Sequence, residues 1–168
     1  MSKPALSIVA VALLGLVAGC SMLAGPPPGL DLRLSRPSEH LTYVVTMRPI
    51  EAPVAIDKLH SWEIRLTSAA GVPVTDARIG FDGGMPQHGH GFPTSPRVTG
   101  ELGDGRYRLD GMKFSMSGWW EMKLTIDSAI GVDKATINTV IAAPAARVAH
   151  VATAAPVAPV AVAVASAR

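Results

Sequence analysis

The residues best suited to chemistry lie in one short stretch, GGMPQHGHGFPT, residues 83–94. His88 and His90 stand one residue apart there, two of only five histidines among 168 residues, with Met85 just ahead of them. In an extended chain alternate side chains project to the same side, so the two imidazoles would share a face. Gly89 between them also permits a positive-φ turn that converges the rings. Either route offers two imidazoles to one ion. A second stretch, GMKFSMSGWW at 111–120, adds the thioethers of Met112 and Met116. Thioether ligands select Cu(I), whereas imidazole also suits Cu(II) and Zn(II). Asp82 is the one carboxylate close by in sequence, which makes a Zn or Ca site less natural. Met116 is the favoured thioether ligand, because Gly118 turns the chain beside it and can leave it exposed. Met85 and Met112 are weaker candidates, and Met112 is expected to point inward beside Phe114. The competing reading is structural, with both histidines bonded to loop carbonyls and the methionines filling the core.

Other chemistries find little support. There is no Gly-x-Ser-x-Gly elbow, no phosphate-binding loop and no His-Glu-x-x-His helix. GELGDG precedes a strand pattern rather than a helix, so it reads as a hairpin turn, and Asp104 and Asp110 as turn residues. The chain is therefore expected not to be an enzyme. Fifteen Lys and Arg against thirteen Asp and Glu give a net charge of +2 with no basic cluster, which argues against a nucleic-acid partner. His40 and His60 fall near strand starts and are expected to be exposed.

The elements that must position these residues read as strands. Leu41, Tyr43, Val45 and Met47 alternate with polar or smaller residues, as do Trp62, Ile64 and Leu66, then Ala77, Ile79 and Phe81. Farther on, Trp120, Met122, Leu124 and Ile126 form one apolar face, which makes Met122 core rather than ligand. Period two with one apolar face marks a half-buried strand. Turn residues at 69–73 and 102–105 separate the runs. About seven short strands at this spacing predict an all-β, immunoglobulin-like antiparallel β-sandwich. The histidine stretch then becomes an inter-strand loop at one end of the sandwich, where such folds commonly carry function.

Both ends of the chain differ from this pattern. Residues 1–19 show an early lysine, an uncharged apolar run and small residues before Cys20, the layout of a secretory signal peptide. Val17-Ala18-Gly19-Cys20 resembles a bacterial lipobox, which implies cleavage before Cys20 and lipid on its sulfur. More than one acyl chain there would anchor the protein stably to a bilayer. Ser21 after the cysteine favours the outer membrane, by resemblance to Gram-negative sorting. Cys20 is the only cysteine, so no intrachain disulfide is available. Residues 20–37 read as a Pro- and Gly-rich spacer, 38–142 as the domain, and 143–168 as a disordered Ala/Val/Pro-rich tail. The resulting location is the periplasmic side of a bacterial envelope, lipid-anchored.

MPQHGHGFPTSPRV followed by GDGRYRLDGMKFSMSGWWEMKLTI resembles the FixH and YtkA-like domain family over roughly residues 40 to 141. The matching positions are Met85, Pro86, His88, Gly89, His90 and Gly91, then Gly105, Tyr107, Phe114, Met116, Gly118, Trp120 and Glu121. The resemblance implies an exported immunoglobulin-like domain with a copper-handling or accessory role, often in respiratory oxidase assembly. A lipobox stands where the FixH type keeps a transmembrane helix. Two functions follow as expectations. One is copper binding through the His/Met loop, with a copper-handling or oxidase-assembly protein as partner. The other is a metal-free module that docks a partner in envelope or oxidase assembly.

Overall fold

In the computed structural model, which describes residues 25–144, nine antiparallel strands build two packed sheets. They are β1 (Ser35–Pro37), β2 (Tyr43–Pro49), β3 (Leu59–Ser68), β4 (Arg78–Met85), β5 (His90–Gly91), β6 (Arg97–Gly103), β7 (Arg106–Lys113), β8 (Gly118–Ser128) and β9 (Gly131–Ile141). One sheet has the order β1-β2-β3-β7-β6 and the other β5-β4-β8-β9. Without the short edge strands β1 and β5, seven strands remain. Their order, β2-β3-β7-β6 over β4-β8-β9, is the four-over-three arrangement of an immunoglobulin constant-type sandwich. Among the described residues there is no helix.

Alternation decides which side chains meet between the sheets. Tyr43, Val45 and Met47 of β2 and Trp62, Ile64 and Leu66 of β3 are buried from one side. Trp120, Met122, Leu124 and Ile126 of β8 and Ala135 and Ile137 of β9 are buried from the other. In β7 the alternation Tyr107, Leu109 is broken once. The pairing with β3 shifts between His60 and Trp62, and Gly111 sits at φ 87°. This bulge sends Met112 rather than Gly111 into the core, where it is fully buried with Phe114.

Two expectations change. The Pro-rich segment read as a spacer supplies β1, which pairs Ser35 with Thr46 and Pro37 with Val44. It is three residues long and mostly exposed, so it leaves no alternating signal. His60, expected to be exposed, is buried at 8 % relative exposure. Its Nε2 lies 3.1 Å from the Ala55 amide and 2.8 Å from the Ala55 carbonyl, because the 50–58 connection folds over it. The segment read as a signal peptide, the expected lipidation site Cys20 and residues 145–168 of the expected tail lie outside the described residues.

Candidate metal centre

Loop chemistry brings the paired histidines together. The Met85 carbonyl accepts hydrogen bonds from the backbone N–H of both His88 and Gly89, each at 3.0 Å. Pro86 supplies the fixed φ that opens such a turn, and Gly89 closes it at φ 66°, where a side chain would be strained. The chain reverses within four residues, and His90 lands directly opposite Met85. Of the two routes open to the sequence, the structure takes the positive-φ one. The His88 and His90 ring centres lie 5.9 Å apart with planes inclined by 32°.

Directly opposed residues share a face of the sheet, so His90 stands on the inner face beside Met85. Met85 is buried at 1 % exposure, while His90 is exposed at the open rim. The His90 ring meets Trp120 edge-on, centres 5.8 Å apart at 71°. Trp120 in turn packs on Phe92 at 4.9 Å and Phe114 at 5.2 Å, and Phe114 lies 6.2 Å from Trp62. A continuous aromatic column therefore runs from the surface imidazoles into the core. Gly83 and Gly84 make room for it. A Cβ at Gly83 would collide with the Glu121 carbonyl and press on the Phe92 ring, and one at Gly84 would collide with the His90 carbonyl.

The polar contacts matter as much as the packing. His90 Nδ1 lies 3.0 Å from the Gly91 carbonyl oxygen. A carbonyl only accepts, so Nδ1 carries the proton in that bond and Nε2 keeps its lone pair. The Trp120 indole N–H donates to the Met116 carbonyl at 3.1 Å, which ties the Met116 backbone to the residue that His90 touches. Met116 is 37 % exposed. Of the other two thioethers, Met112 lies in the core and the Met85 methyl packs against Gly118, where a Cβ would stand 3.0 Å from it.

Sequence reasoning gave no site role to three members of this neighbourhood. Trp120 read only as core, yet it links His90 to Met116. Glu121 and Lys123, paired at 3.0 Å, flank a groove of about 210 Å³ floored by Gly83 and Gly84 and edged by His90. Both follow from the pairing of Gly84 with Glu121, a register that no single stretch of sequence displays. Among the described residues no three His, Cys, Asp or Glu side chains gather as a metal-ligand cluster.

The sequence profile of the YtkA-like family matches residues 40–125. The chain belongs to the YtkA-like family. No curated protein matches it. The matched segment takes in the histidine hairpin, the Met112–Met116 stretch and most of β8, so the whole candidate centre lies within the YtkA-like domain. A larger groove, about 540 Å³, lies elsewhere, on the outer face of the other sheet among Arg48, Glu63, Arg65, Asp104 and Arg106. Its Glu63 carboxylate is already engaged, with Arg48 Nε donating to it at 3.0 Å. Size alone would choose that groove. The donor chemistry favours the histidine rim.

Proposed function

We propose that this YtkA-like protein is a non-enzymatic envelope lipoprotein that binds copper, as Cu(I), through His88 and His90 with Met116 as thioether donor. The observation behind this reading is the convergence of the two rings at 5.9 Å on the rim, with His90 against Trp120, whose indole N–H holds the backbone carbonyl of the partly exposed Met116. His90 fits a ligand's role, since its Nδ1–H is committed to a backbone carbonyl and its other nitrogen is free. Soft donors suit Cu(I), and neither imidazole nor thioether is consumed by disulfide chemistry in an oxidising compartment. When bound, the ion would supply a transferable Cu(I). The chain's own contribution is to hold the donors on a rigid hairpin braced by Trp120. Met85 and Met112, both buried, would have to move to contribute. The lipobox-like Val17-Ala18-Gly19-Cys20 supports anchoring at the periplasmic side of the envelope, with Ser21 favouring the outer membrane. The fitting partner is a copper-handling or oxidase-assembly protein.

Anaerobic titration of the domain with Cu(I), in competition with a chelator, tests the site. Stoichiometric tight binding is expected. Its absence would leave a metal-free docking module for envelope or oxidase assembly. Cys20→Ser should leave an unprocessed precursor in cells, and a mature, detergent-independent product from that variant would remove the anchor.

A further inference from the structure

The path of the chain ahead of the sandwich places the anchor relative to the site. Moving upstream from Pro37, β1 runs antiparallel to β2, so each residue climbs toward the β2 end that leads to Pro49. The Leu34 carbonyl accepts from Met47 N–H at 2.8 Å, the Asp31 carbonyl from Asn138 Nδ2 at 3.3 Å, and the Gly25 carbonyl from Gln87 Nε2 at 2.8 Å. These three contacts are spread over ten residues and climb one edge of the molecule. The last is made by the histidine hairpin itself. Gly25 therefore sits at the His88–His90 end.

Cys20 is five residues before Gly25, and five residues of any chain span at most roughly 17 Å. The opposite end of the sandwich, at the β8–β9 turn, is farther by the length of β8. Its eleven residues reach roughly 35 Å at the rise of an antiparallel strand. A lipid on Cys20 would hold the histidine rim within a short tether of the headgroups and the other end well away.

We infer that the histidine end is the bilayer-facing end of the molecule, and that the partner it serves is an integral membrane protein presenting its copper-accepting face at headgroup level. This rests on the lipoprotein and copper reading above. A soluble partner would have to reach into the gap between domain and membrane, whereas a membrane-embedded one meets the rim head-on.

The test uses the full lipidated chain on vesicles whose headgroups carry an energy-transfer acceptor. Because Cys20 is the only cysteine and its sulfur carries the lipid in this reading, one introduced cysteine takes one fluorophore. Ser117→Cys marks the histidine end just ahead of β8, and Ile130→Cys marks the far turn, where Ile130 is 51 % exposed. Transfer from position 117 should be severalfold stronger than from 130. Twenty Gly/Ser residues inserted before Gly25, together with Gln87→Ala, should erase most of that difference. Equal transfer from both positions, or stronger transfer from 130, overturns the inference even if copper binds. Failure of the chain to float with vesicles removes the anchor and the inference together, while copper titration of the domain still tests the site separately.

Discussion

The molecule holds its histidines in two different ways, and the difference separates fold from function. At one edge His40 belongs to a closed cluster around Asp133. That carboxylate accepts from Ser38 Oγ at 2.6 Å, Lys134 N–H at 2.8 Å, His40 N–H at 3.1 Å and Thr42 N–H at 3.3 Å, with His40 Nδ1 at 3.0 Å. At the other end the His88 and His90 rings lie side by side, His90 meets Trp120 edge-on, and His90 spends one nitrogen on a local carbonyl. The first arrangement is saturated and ties the 38–42 turn to β9. The second is ordered, yet only one of its four ring nitrogens, His90 Nδ1, makes a hydrogen bond among the described residues. Internal satisfaction marks a structural polar group, and an ordered surface group with spare valence marks a candidate for binding.

Disrupting the closed cluster should have the largest effect on folding. Asp133→Ala strands several N–H groups that now bond a buried carboxylate, a loss of about 3 kcal/mol and of order 10 °C in melting temperature. Cu(I) affinity should not change. The same cluster sets an acid limit. Burial pushes the Asp133 carboxyl up, but bonds from Ser38, Lys134 and His40 outweigh it and hold the group well below the ordinary carboxylate range. Its stabilisation is then fully present above the unfolded value near ~4 and is lost as pH falls from there toward the lowered folded value. Urea unfolding from pH 6 to pH 3 should show that loss in the parent and a flatter profile in Asp133→Asn. Parallel profiles would place the acid sensitivity elsewhere.

The open pair should respond the other way. His88→Ala and His90→Ala should each weaken Cu(I) binding by roughly tenfold to a hundredfold, about 1.4 to 2.7 kcal/mol, while unfolding moves little. Met116→Leu keeps the volume and removes the sulfur, so about a tenfold loss of affinity with unchanged stability is expected. Copper binding at parental strength in both histidine variants would assign the pair to the turn alone. A melting temperature that collapses in either variant would show that the open region is structural too.

Much of this contrast was legible in the sequence, and the rest was lost for physical reasons. Strands with one buried face announce themselves, and Trp62-x-Ile64-x-Leu66 and Trp120-x-Met122-x-Leu124-x-Ile126 lie in the core as alternation requires. The two short edge strands did not, because β1 and β5 are mostly exposed and have no face to alternate. The position of the histidine loop between strands followed from flanking patterns. Its contact with Trp120 did not, because it joins residues far apart in the chain and depends on β5 folding back on β4 while β4 pairs with β8. His60 was misplaced for a related reason. A loop covers it, and coverage by a loop has no period.

The smallest effect should come from the exposed ring at the edge of the closed cluster. The His40 side chain is 79 % exposed although its Nδ1 lies 3.0 Å from a carboxylate with no exposed side-chain surface. His40→Ala removes that ring contact but keeps the His40 amide, the Thr42 and Lys134 amides and the Ser38 hydroxyl on Asp133. The carboxylate therefore stays satisfied, and the lost ring contact is of the solvent-screened kind that contributes about 0–1 kcal/mol. Calorimetry should find a melting temperature within a few degrees of the parent, and titration an unchanged Cu(I) affinity. A loss comparable to that of Asp133→Ala would mean that the ring, not the backbone donors, holds the buried charge. An effect on copper would mean that the two ends of the sandwich are coupled, and that the division between closed and open histidines is wrong.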